Sequence, residues 1–137
     1  MIAFDTNVLA RLYLNDDPDQ HLAACTALAD AARVSEKVYI SLVVLIECVW
    51  LLRRTYGWTL DQILTVVDDL MVQDVFHLER ADILFGVRND ARLKALGFAD
   101  LLIEALARDA GCKSILTFDV KASRRSDMFT AVPAADR

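Results

Sequence analysis

The sequence predicts a domain of the α/β class, in which helices cover both faces of a parallel sheet. Short apolar runs, typical of buried strands, alternate with longer segments in which apolar residues recur at helical spacing. The 137 residues are 55% hydrophobic, and we find no repeat, linker or low-complexity stretch among them. We therefore expect residues 1–137 to form a single domain with its own core.

Apolar runs predict the strands of this sheet. They cover residues 2–4, 37–40, 75–78 and 114–118, and a fifth, weaker run covers residues 129–132. We therefore expect a central parallel sheet of four to five strands.

Helical spacing predicts six helices between these strands. They cover residues 7–13, 19–34, 42–56, 60–71, 80–95 and 98–110. Ser41 and Thr59 are natural N-caps for the third and fourth helices, because a hydroxyl oxygen accepts a hydrogen bond from a free amide at a helix start. Gly57, Gly97 and Gly111 lie at or just beyond the ends of three helices, where glycine is favoured.

Composition argues against several classes of protein. The longest apolar runs fall short of the roughly 20 residues that a membrane span requires, and the start, MIAFDTN, lacks the pattern of a signal peptide. Two histidines and no CxxC pair argue against a structural zinc site. Cys25, Cys48 and Cys112 are odd in number and lie in helix-like contexts, so we expect reduced core thiols and a cytoplasmic protein.

Two of the predicted strands end in an aspartate. Asp5 follows IAF and Asp119 follows SILTF. Parallel strands share one carboxyl edge, which is where open α/β sheets bind ligands, so neighbouring strands would bring both carboxylates within reach of one ion. The alternative is that each aspartate only caps a loop or the next helix.

Glu47 is the one charged residue in LVVLIECVWLL, residues 42–52. Its neighbours on the same helix face are apolar, and an unpaired buried carboxylate is costly and tends to protonate. We therefore expect a metal ion at the sheet edge as its partner. The alternative is a narrow solvent-exposed seam.

Asp100 opens the helix after GFA, where negative charge suits the helix N-terminus, and it is a further acidic candidate. Glu104 lies four residues later on the same face, either as a supplementary acid or as a solvated partner of Arg108. A site built from carboxylates, without histidine or cysteine, favours Mg²⁺ or Mn²⁺ over zinc.

Four segments resemble the PIN-domain family, and within it the VapC-type ribonuclease toxins of bacterial toxin–antitoxin pairs. They are FDTNVL at residues 4–9, the lone Glu47, GFADLLIEALARDAG at 97–111 and ILTFD at 115–119. They span almost the whole chain in the family's order. The resemblance implies a three-layer α/β/α sandwich with a central parallel sheet and an acidic pocket that holds divalent metal. It also implies an endoribonuclease that hydrolyses RNA phosphodiester bonds.

The resemblance further implies roles for particular residues. The family's four acidic positions, both catalytic and metal-binding, are occupied by Asp5, Glu47, Asp100 and Asp119. The polar residues that line or brace the pocket are Thr6, Asn7 and Thr117. Two positions depart from the pattern: Glu104 stands where a small residue is more usual, and Lys121 where some members carry a further acid.

The formal net charge of −5 counts against a nucleic-acid partner. Two bound Mg²⁺ ions, however, would bring the charge of the loaded protein to about −1. The candidate RNA-binding residues form three groups, namely Arg53 and Arg54, then Arg88, Arg92 and Lys94, then Arg124 and Arg125. Arg88 and Arg92 are expected to share a helix face. Each group either holds RNA phosphates or is an ordinary solvated face.

Two protein partners are expected besides RNA. Surplus apolar surface on residues 42–52 and 59–71 predicts a homodimer. The resemblance implies a small VapB-like antitoxin whose helix lies in a groove and presents an arginine to the acidic pocket. No membrane partner is expected.

Two other functions stay open. One is a non-catalytic module whose function is the antitoxin complex itself. The other is a Mg²⁺-dependent phosphohydrolase of the haloacid-dehalogenase type, which also starts from a strand-end aspartate. That chemistry needs a second acid two residues on, and this position holds Asn7.

Overall fold

The computed structural model describes residues 1–135, and the chain divides into two compact units, Met1–Ala81 and Asp82–Arg137. The part described contains five strands and eight helices in alternation, and every strand pair is parallel. The predicted α/β class is therefore confirmed. The strands pair as a three-stranded sheet and a two-stranded sheet, whereas we expected one sheet of four to five strands.

The first unit contains the three-stranded sheet. Its strands are β1 (Ile2–Ala3), β2 (Val38–Ile40) and β3 (Phe76–Leu78), in that spatial order. Helices α1 (Thr6–Tyr13) and α2 (Pro18–Arg33) follow β1, and helices α3 (Leu42–Arg54) and α4 (Leu60–Val72) follow β2. Each strand is therefore joined to the next by a pair of helices, as parallel strands require a long connection.

Polar side chains fix the starts of three helices in this unit. The hydroxyl of Ser41 accepts a hydrogen bond from the Val44 amide, which confirms the predicted cap of α3. Thr59 and Gln62 form a reciprocal capping box at α4. Asp17 caps α2, whose first residue is a proline, which lacks an amide that would otherwise need a partner.

Aliphatic side chains form the core of the first unit, where α1 packs against α2 and α3. The most deeply buried include Leu9, Leu45, Leu52, Ile63 and Leu70. Burial of this kind is the main favourable contribution to folding.

The expectation of surplus apolar surface on residues 59–71 is wrong. The large apolar side chains of α4 are buried or half-buried, except Val72 at its end. The surplus expected on residues 42–52 is present on α3, where Val43 and Trp50 are exposed.

The second unit contains the two-stranded sheet. Strands β4 (Ile115–Thr117) and β5 (Phe129–Ala131) are parallel and pair with Ile115 opposite Phe129. The helices are α5 (Ala81–Arg88), which begins at the boundary residue, α6 (Leu93–Leu96), α7 (Phe98–Asp109) and α8 (Val120–Arg125). Gly97 joins α6 to α7 with φ +86°, a left-handed conformation that favours glycine.

The predicted helix over residues 80–95 is wrong, because the helix is broken after Arg88. The backbone and side-chain amides of Asn89 both donate to the Phe85 carbonyl at the end of α5. The Asp90 carboxylate then accepts a hydrogen bond from the Arg92 amide (2.8 Å). Such local side-chain bonds compete with helical ones. Arg88 and Arg92 therefore do not share a helix face.

Two further expectations need correction. Helix α8 was not predicted, although Asp119 was recognised as a residue able to cap a following helix.

All three cysteines are free, but only Cys48 is buried, Cys25 is half-buried and Cys112 is exposed, so Cys112 is not a core thiol. Burial raises the pKa of the Cys48 thiol to about 12. Within residues 1–135, none of the helices has the length and apolarity needed to cross a bilayer.

Candidate functional site

Both strand-end aspartates cap the helix that follows them. Asp5 Oδ1 accepts a hydrogen bond from the Val8 amide (3.2 Å) at the start of α1. Asp119 Oδ1 accepts hydrogen bonds from the amides of Lys121 (2.9 Å) and Ala122 (3.3 Å) at the start of α8. The capping role that we held as an alternative is thus real. In both residues the caps use Oδ1, which orients the carboxylate and leaves Oδ2 outside the cap.

Glu47 is exposed on α3, between the exposed side chains of Val43 and Trp50. Glu47 therefore lies on a solvent-exposed part of α3, which agrees with the alternative interpretation. Because its carboxylate is not buried, it does not need a metal ion to compensate for the loss of water. Its Oε2 accepts a hydrogen bond from Oγ1 of Thr6 at 2.6 Å. Because Thr6 directly follows Asp5, this bond brings Glu47 to the residue next to Asp5 within the first unit.

Asp100 and Asp119 form a second acidic pair, within the second unit. Asp100 is the third residue of α7 and is half-buried. Burial raises its pKa, and the negative charge of Asp119 raises it further. The two carboxylates are therefore close enough to repel each other, and a divalent cation relieves repulsion of this kind.

The three polar residues predicted to brace the site have different contacts. Thr6 donates to Glu47, and the hydroxyl of Thr117 accepts a hydrogen bond from the Asp119 amide at 2.9 Å. Asn7 lines a cavity of about 340 Å³ together with Asp5 and residues of α1 and α2. Thr6 thus contacts the carboxylate of a candidate acid, Thr117 contacts the backbone of another, and Asn7 lines the same cavity as Asp5.

Glu104 is buried, with 2% of its surface exposed, and is not solvated as we expected. Its predicted partner is correct, because Arg108 Nη2 donates to Oε1 at 3.0 Å. Ser126 and Arg92 also contact its carboxylate. Burial by itself raises the pKa of Glu104, but the hydrogen bonds from Ser126, Arg92 and Arg108 outweigh it and lower the pKa.

Sequence reasoning missed Ser126 and the bond from Arg92 to Glu104. These residues lie 22 and 12 positions from Glu104, so no helical spacing relates them to it. The signal available was Glu104 itself, a charged residue in the apolar run LLIEAL of a predicted helix.

The candidate RNA-binding residues differ in how freely their charges face solvent. Arg53 and Arg54 are exposed at the end of α3. Arg92 pairs with Asp90 and Glu104, and Arg125 donates to the Ala95 carbonyl. The remaining candidates are Arg88, which is half-buried, and Lys94 and Arg124, which are exposed.

The donor chemistry fits Mg²⁺ or Mn²⁺, since every candidate ligand is a carboxylate oxygen. Within the first unit Glu47 is bonded to Thr6, the residue after Asp5, and within the second unit the negative charge of Asp119 acts on Asp100. Among residues 1–135, no three or more His, Cys, Asp or Glu side chains are grouped so as to hold a metal ion. Convergence of all four acids on one ion stays a prediction.

Comparison with known families adds an independent finding. The sequence matches the family described as PIN domain over residues 2–127. No curated protein and no solved structure gave a significant match. The PIN domain is a nuclease-type fold with helices and a parallel sheet, and its members are typically metal-dependent nucleases.

Proposed function

Because the chain belongs to the PIN domain family, we propose that it is a metal-dependent endoribonuclease that hydrolyses RNA phosphodiester bonds. The observation that carries the proposal is the close pair of Asp100 and Asp119 at the starts of α7 and α8. Burial and, to a smaller extent, the negative charge of Asp119 raise the pKa of Asp100, and a divalent cation bound between the two would offset this repulsion.

We propose that Asp5, Asp100 and Asp119 hold one or two Mg²⁺ or Mn²⁺ ions, with Glu47 bound directly or through water. When bound, such an ion would supply two effects, activation of a water molecule for attack on phosphorus and compensation of the charge on the leaving oxygen.

The chain's own residues prepare this site. Backbone amides fix one oxygen of Asp5 and of Asp119, so neither side chain must be ordered when the ion binds. The side-chain hydroxyl of Thr6 donates a hydrogen bond that orients the Glu47 carboxylate. Such preorganisation lowers the entropic cost of binding.

The proposed biological role is that of a VapC-type toxin, which a small VapB-like antitoxin inhibits in the cytoplasm. The apolar side chains of Val43 and Trp50, exposed on either side of Glu47, support a protein partner on this face of α3. We propose that a helix of the antitoxin, or a second copy of this chain in a homodimer, covers them. The exposed Arg53 and Arg54, on the same helix, are proposed to bind RNA phosphates.

The test is an RNA-cleavage assay with total RNA, in Mg²⁺ or Mn²⁺ and in EDTA. Asp5→Asn should abolish cleavage while preserving the fold, since asparagine is an equally good helix cap. Asp74→Asn, which changes an exposed loop residue, is the matched control and should cleave as the wild type does. Full activity in Asp5→Asn, or equal activity in EDTA, would refute the proposal.

The same assay separates the open alternatives. RNA that stays intact with metal-loaded protein would support a module that only binds its antitoxin. Trapping of an aspartyl-phosphate at Asp5 with a phosphate mimic would support the phosphohydrolase. The presence of Asn7 in place of a second acid argues against that outcome.

A further inference from the structure

Glu104 is a buried charge that the proposed mechanism does not use. It lies on α7, one helical turn after Asp100, and only 2% of its surface is exposed. A carboxylate taken out of water is costly unless charged and hydrogen-bonding partners surround it. The donors that surround the Glu104 carboxylate therefore show which elements of the fold this residue connects.

The Glu104 carboxylate is surrounded by three donors. Oε1 accepts hydrogen bonds from Ser126 Oγ at 2.8 Å, Arg108 Nη2 at 3.0 Å and Arg92 Nη1 at 3.3 Å. Oε2 lies 2.9 Å from Nη2 of Arg92, but within the described chain no donor reaches this oxygen with hydrogen-bond geometry. The Arg92 contact at Oε2 is therefore an ion pair, and the directed bonds converge on Oε1.

These bonds tie together the two helices that carry the acidic pair. Glu104 shares α7 with Asp100, and four residues of helix separate them by about 6 Å. Ser126 is the residue that ends α8, and Asp119 is the residue that caps its start. The Glu104–Ser126 bond is itself buried. It therefore joins the helix of Asp100 to the far end of the helix of Asp119.

Ser126 is also held from its other side. Its hydroxyl accepts a hydrogen bond from the Met128 amide at 3.2 Å, while donating to Glu104. One hydroxyl thus connects α7, the end of α8 and the chain that leads into β5. Rotation of α8 relative to α7 would break the bond to Glu104.

We propose that Glu104 is a positioning residue for the metal site: by tying α7 to the end of α8, it sets the spacing of Asp100 and Asp119. This inference rests on the proposed function, because it assumes that this pair binds a divalent ion. Glu104 itself does not touch the ion. The carboxylate of the exposed Asp127 pairs with Arg108 at 3.4 Å, and Asp127 makes no bond to Glu104 or Ser126 within the part of the chain that the structure describes.

The test is a titration with Mn²⁺ alone, in which electron paramagnetic resonance counts free Mn²⁺ in the presence of the folded protein. Glu104→Gln removes the charge at nearly constant volume, and should weaken Mn²⁺ affinity by at least tenfold. Ser126→Ala removes the link to α8 and should weaken it three- to tenfold. Glu104→Asp keeps the charge and should recover part of the loss. Asp127→Asn is the matched control and should bind Mn²⁺ within twofold of the wild type.

Catalysis supplies a second readout. At saturating Mn²⁺, kcat of Glu104→Gln should return towards the wild-type value, with the KM for RNA unchanged. If Glu104 only stabilised the fold, Glu104→Gln would lower Tm, and saturating Mn²⁺ would not restore its kcat.

The outcomes separate this inference from the proposed function. If the wild type binds no Mn²⁺ at millimolar concentration, the metal site itself fails, and the inference fails with it. If the wild type binds Mn²⁺ and folded Glu104→Gln binds it equally well, only the inference is overturned. If Glu104→Gln does not fold, Ser126→Ala provides the test. A folded Ser126→Ala protein that binds Mn²⁺ as tightly as the wild type would overturn the inference.

Discussion

Replacing Glu104 by glutamine should destabilise the fold even without metal. The hydrogen bonds of Glu104 determine how far the free energy of unfolding falls. The substitution removes the carboxylate charge from three hydrogen bonds: the bond from Ser126 becomes neutral, and the bonds from Arg92 and Arg108 keep only the charge of the donor. Each such weakening costs about 1 kcal/mol. Arg92 and Arg108 are 40% and 53% exposed, so water compensates part of their loss. We therefore expect the free energy of unfolding to fall by about 2 kcal/mol.

This change is large enough to measure. An unfolding entropy of about 2.1 cal/mol/K per residue over 137 residues makes 2 kcal/mol equivalent to a fall in Tm of about 7 °C. Urea denaturation in EDTA, followed by circular dichroism, measures the difference without bound metal. Asp127→Asn is the control, because its side chain is 92% exposed and should contribute less than about 0.5 kcal/mol. A Glu104→Gln protein within 0.5 kcal/mol of the wild type would refute the reasoning.

Three further predictions concern pH, metal and salt. The pKa of Glu104 is lowered in the folded protein, so its stabilising effect is present above the unfolded value of about 4.3 and lost as pH falls through the folded value. The stability difference between wild type and Glu104→Gln should be constant from about pH 7 to pH 5 and shrink below about pH 4; urea titrations that show a constant difference at pH 3 would contradict this.

Mn²⁺ at a hundredfold excess over its Kd should stabilise the wild type by about 2.7 kcal/mol, and thermal melts without any rise in Tm at millimolar Mn²⁺ would count against the acidic site. Binding of single-stranded RNA, measured by fluorescence anisotropy in the cleavage-inactive Asp5→Asn background, should weaken with salt. Adding Arg53→Gln and Arg54→Gln should reduce the slope of log K against log salt by about 1.4, and an unchanged slope would show that neither arginine binds phosphate.

Local signals in the sequence predicted most of the secondary structure. Ser41 and Thr59 cap the helices they were expected to cap, because a capping hydroxyl acts on amides only two or three residues away. The helix over residues 80–95 was wrong because the carboxylate of Asp90 bonds to the next residues, a local competition that apolar spacing does not report. Helix α8 was missed because six residues, VKASRR, are too few to show periodicity.

The chemistry of the site was predictable in part. The strand ends, the lone charge of Glu47 and the family pattern predicted the acidic residues, and their joint binding of a metal ion stays a prediction. Neither the exposure of Glu47 nor the burial of Glu104 could be read from the sequence. Both lie among apolar neighbours on their helices, and only tertiary packing decides which helix face meets solvent.

Our central proposal is that Asp5 and Asp119, which lie 114 positions apart in the chain, bind the same metal ion. Titration of Mn²⁺ into the wild type, Asp5→Asn, Asp119→Asn and the control Asp74→Asn tests it most directly. We predict that either site substitution weakens the same binding event by at least tenfold, while the control binds as the wild type does. A folded Asp5→Asn or Asp119→Asn protein that kept the wild-type affinity and stoichiometry would contradict the account.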